Sequence, residues 1–213
     1  MAVTDHGLWE PSQEAMDAYA QTAIDLRLFH GEEVHAPGNP IHIINFGGSF
    51  SVNELFRQDE DGYHEAVRAI ERRLPPLDEG VNRFAYASCL WCVDQIRRGG
   101  GMAIFCHPHW LANVYHVPDA MTRALLRAEV FDAFELVSGQ SLRENMMQYA
   151  LYGDLRAEGA QIPIVGSSDS HGVIDGKEFN HMKTLVFSPS LELEDINRSV
   201  MEGYSVAIDD YPG

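Results

Sequence analysis

Short apolar runs of strand length alternate with amphipathic helical stretches along most of this chain, and that alternation restricts the fold more than any other feature. Strands are expected at residues 41–46, 102–106, 131–137, 162–165, 184–187 and 204–208, with a shorter candidate at 26–29. Between them, helices are expected from Pro11 onward and at 63–74, 82–98, 119–128, 142–158 and 191–202. Strand-to-helix-to-strand order requires crossover connections, so the strands pair in parallel, in a closed barrel or in an open α/β sheet. With 213 residues and no internal repeat or low-complexity segment, one domain is the expectation.

Local signals mark where these elements stop. Pro75-Pro76 ends the 63–74 helix, and Arg97-Arg98-Gly99-Gly100-Gly101 places basic residues and then glycine at a helix carboxyl terminus. The triple glycine precedes a strand, whereas glycines that cradle phosphate follow one. Met16, Tyr19, Ala20, Ala23 and Ile24 share a face at helical spacing and are expected in the core. Residues 47–62 are expected to form an exposed insertion; their run Asp59-Glu60-Asp61 lacks the ligand spacing of a calcium loop and belongs to solvated surface.

The charge balance narrows the possible partners. Fifteen Lys+Arg against 32 Asp+Glu give a net charge of −17, which disfavours non-specific binding to nucleic acid or to anionic membranes. No apolar run reaches the roughly 20 residues of a membrane helix and no basic-then-apolar leader opens the chain, so a cytoplasmic protein is expected. Cys89, Cys92 and Cys106 are too few for a disulfide framework, and Cys89-Leu90-Trp91-Cys92 lies in a helical pattern with no second pair. They are expected as reduced core residues.

Polar groups collect where the apolar runs end. Val165-Gly166-Ser167-Ser168-Asp169-Ser170-His171-Gly172 leaves a strand, turns through small residues, and presents a carboxylate and an imidazole two positions apart. In extended chain these two share a side and suit Zn²⁺, Mn²⁺ or Fe²⁺, although Asp-x-His alone is a weak motif. His6, Glu33 and His107 also follow apolar runs, and His42 lies inside one. If strand ends share one face, these six ligands exceed what one catalytic zinc takes from protein, and more than one ion is implied.

Five short motifs, in order and spread over almost the whole chain, resemble the polymerase and histidinol phosphatase (PHP) metallohydrolases. Thr4-Asp5-His6 is similar to the family's Thr-Asp-His, Gly31-Glu32-Glu33-Val34 to its Gly-x-Glu, and Ile41-His42-Ile43-Ile44 to its histidine-bearing strand. Cys106-His107-Pro108 resembles the His-Pro element, and Gly166 to His171 the Gly-Ser-Asp-x-His element. The resemblance implies a distorted α/β barrel of (βα)7 type, a centre of up to three divalent ions (Zn, Mn or Fe), and a small phosphorylated substrate. Its metal ligands would be His6, Glu33, His42, His107, Asp169 and His171.

One family element has no counterpart. The His-x-His strand that opens the family pattern, with its following aspartate, does not occur in that role; the triplet His107-Pro108-His109 belongs to a later element. The barrel is therefore expected to be incomplete at its amino terminus, and the sequence to be a fragment of a longer protein or a degenerate member. Of three ion positions, only that of Glu33, His42 and His107 would keep all its protein ligands. The function implied is hydrolysis of a phosphoester, with bound metal lowering the pKa of water and neutralising phosphoryl oxygens. The alternatives are binding of metal or phosphate ester without turnover, and metal-dependent hydrolysis of an amide or ester. His109 is the candidate general acid, Arg143 the candidate phosphate clamp, and Glu135 a supporting carboxylate. The sequence places neither Lys177 nor His181, and leaves the oligomeric state open.

Overall fold

A computed structural model describes residues 1–110, 117–172 and 181–210, and Lys177 lies outside them. The chain forms two compact units, Met1–Ile104 and Phe105–Gly213. Helices and strands are mixed in both, as an α/β chain requires.

The first unit contains α1 (Glu10–Tyr19), β1 (Gly31–Val34), β2 (Ile43–Phe46), α2 (Val52–Gln58), α3 (Glu60–Glu71), α4 (Arg83–Arg98) and β3 (Met102–Phe105), whose last residue opens the second. Its strands lie in the order β1-β2-β3, and β1 pairs antiparallel with β2, Glu33 opposite Ile44. The segment before α1 runs parallel to β1 as two isolated bridges, Ala2 to Phe29 and His6 to Glu33. Asn82 caps α4 by accepting from the Ala85 N–H, and the helix buries Ala85, Ser88, Cys89, Cys92, Val93 and Ile96 at helical spacing. It ends at Gly99-Gly100, with Gly100 at φ 74°. All three cysteines are buried and outside any disulfide, and burial raises the Cys89 thiol pKa to about 12.

Three expectations fail in this unit. Residues 26–29 form no strand; β1 is the next segment, and it is buried at all four positions despite carrying two carboxylates. The 47–62 stretch is not an exposed excursion throughout, because Gly47, Gly48, Ser51 and, in α2, Val52, Asn53 and Phe56 are buried, while Ser49 and residues 57–61 are exposed. The apolar face starting at Met16 does not enter the core: α1 stops at Tyr19, so Ala23 and Ile24 are off the helix, and Tyr19 and Ile24 are 39% and 59% exposed.

In the second unit α5 (Asp119–Arg127), β4 (Ala133–Ser138), α6 (Leu142–Ala157), β5 (Ile164–Ser167), β6 (Met182–Val186), α7 (Leu193–Met201) and β7 (Ser205–Asp209) follow. β4 pairs parallel with β5 across α6, as the expected crossover requires; its register shifts between Glu135 and Val137. β6 and β7 instead form an antiparallel pair. Every residue of β4 is buried, and α6 opens with a reciprocal cap between Ser141 and Glu144. Among the described residues the strands do not close into a barrel, so the barrel expectation reduces to a mixed α/β fold with parallel pairing. None of the described helices is long and apolar enough to cross a membrane.

Candidate metal centre

β1 sends its two glutamates to opposite sides, since side chains alternate along a strand. Glu32, fully buried, accepts from Asn45 Nδ2 at 3.0 Å, Ser51 Oγ at 2.7 Å, the Val52 N–H at 2.6 Å and Asn53 Nδ2 at 2.7 Å. It therefore ties the amino end of α2 to the sheet and supports the fold.

Glu33 faces the histidines. Its carboxylate, 2% exposed, lies 3.0 Å from His6 Nε2 through Oε2 and 2.8 Å from His42 Nδ1 through Oε1. A third imidazole, His35, brings Nε2 to 3.5 Å from the same Oε1 and stacks on His42 with ring centroids 4.2 Å apart. Backbone bonds fix the approach of His6: the Gly7 N–H donates to the Glu33 carbonyl at 2.8 Å, and the Glu33 N–H to the Asp5 carbonyl at 3.0 Å. One buried carboxylate among three imidazoles is a donor set suited to a divalent d-block ion. The Nε2 of His35 adds a second sign, being a buried nitrogen with no hydrogen-bond partner. The donor atoms of His6, Glu33 and His35 lie within 4.8 Å of one another, so the residues present fit a metal.

The sequence expectations for His6, Glu33 and His42 thus meet in space, whereas His35 was missed. Its signal was available: Glu33-Val34-His35 repeats the two-residue spacing used to single out Asp169 and His171.

Within the second unit His107 sits at the end of the β3 run, with its backbone N–H donating to Glu135 Oε2 at 2.7 Å and its Nδ1 3.3 Å from the same oxygen. Ser167 also donates to Glu135, on Oε1. Glu135, 1% exposed, therefore holds the ends of two runs, the supporting place the sequence suggested. Asp169 accepts from the Gln140 amide, a contact no motif announced, although Gln140 follows a strand as the other polar groups do. His171 is exposed and its Nδ1 lies 2.9 Å from the Asp169 carbonyl. Strand alternation does not describe this loop, since Asp169 adopts φ 45°, yet donor atoms of Asp169 and His171 lie within 4.8 Å of one another. His107 is likewise in the left-handed region, at φ 28°. Such backbone costs non-glycine residues about 1–3 kcal/mol and concentrates at functional sites.

His109 is buried at 8% exposure, its Nδ1 has no hydrogen-bond partner, and burial foremost lowers its pKa against the opposing pull of Asp119. A neutral imidazole follows at neutral pH. Arg143 is solvent-exposed in the first turn of α6. His181 places Nδ1 3.3 Å from the Asp210 carbonyl.

No family model matches this chain, and no curated protein matches it. Among solved structures, it is similar to a two-domain protein from Bacteroides vulgatus containing a predicted PHP-like metal-dependent phosphoesterase, at 16% identity and TM-score 0.56. That match covers 98% of this chain and 55% of the other, so the chain spans little more than half the length of that protein. A protein from Bifidobacterium adolescentis, provisionally named a metal-dependent phosphoesterase, matches at 16% identity and TM-score 0.47, over 80% of this chain and 77% of the other. At this identity the first likeness establishes fold, and the fold of this chain is that found in the Bacteroides vulgatus PHP-like protein.

Proposed function

We propose that this chain is a metal-dependent hydrolase of phosphoesters. The observation that carries the proposal is Glu33, a carboxylate 2% exposed with His6 and His42 nitrogens at 3.0 and 2.8 Å on its two oxygens. A likeness of fold to a PHP-like protein supports the reaction class but does not by itself assign it.

Glu33 and His42 lie in or beside short strands, so their rotamers are fixed by packing before substrate arrives. A divalent ion held there supplies Lewis acidity and a bound water of lowered pKa. His6, 49% exposed, forms the solvent side of the cluster, from which a phosphoester would approach. His107, Asp169 and His171 are proposed as further ligands on the resemblance of their motifs, with Glu135 orienting His107 and Gln140 orienting Asp169. His109, neutral and buried, is proposed to move a proton to or from the leaving oxygen. Arg143 is proposed to meet a phosphate oxygen from the exposed start of α6. The metal is a divalent ion of the Zn, Mn or Fe group, and the substrate a small phosphorylated molecule.

The test is hydrolysis of phosphomonoesters and phosphodiesters by metal-stripped protein before and after Zn²⁺, Mn²⁺ or Fe²⁺ is restored. Activity should return with metal and fall at least about a hundredfold in Glu33→Gln. Turnover indifferent to metal would refute the proposal. Phosphate-ester binding without turnover would favour the binding-only alternative, and preference for amides or carboxyl esters the other hydrolase.

A further inference from the structure

His35 is a polar residue for which neither the fold nor the family resemblance supplies a role. It follows β1 directly, two positions after Glu33, and the strand alternation brings both side chains to one side. Its backbone is fixed: the His35 N–H donates to Asn53 Oδ1 at 3.0 Å. Its ring is fixed as well, stacked on His42 with 20° between planes and 4.9 Å from the ring of His6.

The nitrogen that these constraints aim at Glu33 makes no hydrogen bond there. At 3.5 Å from Oε1 it is beyond hydrogen-bond range, and it is buried although the side chain as a whole is 33% exposed. A nitrogen lone pair or N–H held at that distance from a buried carboxylate oxygen lacks a partner in the protein and is spaced for a shared cation. His42 reaches the same oxygen at 2.8 Å through Nδ1 and so braces the carboxylate from another direction.

We propose that His35 is a metal ligand, and that His6, Glu33 and His35 form a two-histidine, one-carboxylate site contained in the first unit. The site takes a divalent d-block ion with affinity for imidazole, in the order Zn²⁺ above Mn²⁺, and excludes Mg²⁺. Three protein donors leave a coordination position for water or substrate, on the side where His6 is half exposed. The inference rests on the metal-dependent reading of Glu33 and adds a residue that the motif pattern does not supply.

The experiment is metal binding by the full chain, stripped of metal and titrated with Zn²⁺ against a chromophoric chelator and with Co²⁺ followed by its visible absorption. Loss of one imidazole donor in His35→Ala should weaken Zn²⁺ binding by at least about a hundredfold, more than the loss of a supporting contact, and should change the wavelength and intensity of the Co²⁺ bands. His35→Gln retains a polar group at this partly exposed position and carries the measurement if His35→Ala melts early. Zn²⁺ affinity within about twofold of the parent together with an unchanged Co²⁺ spectrum, in a folded variant, would overturn the proposal. Glu33→Gln separates the two levels. If it loses the ion while the His35 variants keep it, His35 is no ligand but the metal-dependent function stands; if it binds as the parent does, both fall.

Discussion

Two adjacent glutamates of β1 should respond to mutation in opposite ways. Removing the Glu32 carboxylate in Glu32→Ala strands the donors that converge on it. Asn53 Nδ2 and Asn45 Nδ2 have second acceptors, the Glu33 carbonyl at 3.1 Å and the Phe50 carbonyl at 3.2 Å. The Val52 and Asn53 N–H groups, in the first turn of α2, and the Ser51 hydroxyl lose their acceptor, the Asn53 bond being long at 3.4 Å. Three orphaned donors, two of them at about 1–3 kcal/mol each and the long one less, with the cavity left by the side chain, give a loss of about 5 kcal/mol. For a chain of this size that lowers the melting temperature by about 10–20 °C. Glu33→Gln keeps the shape and removes the charge; melting of the metal-free protein should move by no more than about 4 °C, the equivalent of about 1 kcal/mol. What it should lose is stabilisation by zinc, worth about 2.7 kcal/mol to the parent at a hundredfold excess over Kd. Circular-dichroism melts of the three proteins with and without Zn²⁺ decide the matter. A Glu32→Ala protein melting within about 4 °C of the parent, or one in which Glu33→Gln falls as far as Glu32→Ala, would refute the division of labour.

Alkaline pH should destabilise the first unit through its buried thiols. Cys89 is raised from 9.0 to about 12, chiefly by burial, and Cys92 moves in the same direction. Between those values the unfolded chain has released the proton that the native state still holds, so stability is full below pH 9 and falls as pH rises, by about 1.4 kcal/mol per pH unit per thiol. Urea midpoints between pH 8.5 and 11 should fall less steeply in Cys89→Ala; parallel slopes would remove the thiol as the cause. Gly139→Ala tests the end of β4 instead. A Cβ there would run into the Ser168 carbonyl oxygen, so the backbone beside Gln140 or Asp169 must shift. A cost of at least about 3 kcal/mol is expected by denaturation, and an unaltered midpoint would show that the two loops are not so closely apposed.

The parts of the fold legible in the sequence are those where local chemistry and burial agree. Asn82, the apolar spacing of Ala85 to Ile96 and the glycines after Arg98 each specify the same helix, and the structure has α4 at Arg83–Arg98. The expected strand at 26–29 failed for the opposite reason: apolar composition favoured Leu26 to Phe29, while the strand formed at Gly31–Val34 because long-range donors satisfy Glu32. Propensity is local, whereas the partners that make a buried glutamate affordable come from residues 45 to 53.

The same limit explains what could be read of the site. Glu33 and His42 were marked by their place in apolar runs, and the fold brings them within 2.8 Å. His35 was hidden because its strand was assigned to the wrong segment; with β1 at Gly31–Val34, alternation puts residues 33 and 35 on one side and the three-imidazole cluster follows. Asp169 and His171 were paired by the same rule, and their donor atoms do lie within 4.8 Å of one another, but the φ of 45° at Asp169 means that a turned loop and not an extended strand brings them together. Alternation thus accounts for residues 33 and 35, where the chain continues the direction of β1, and not for residues 169 and 171, where turned backbone achieves the same proximity.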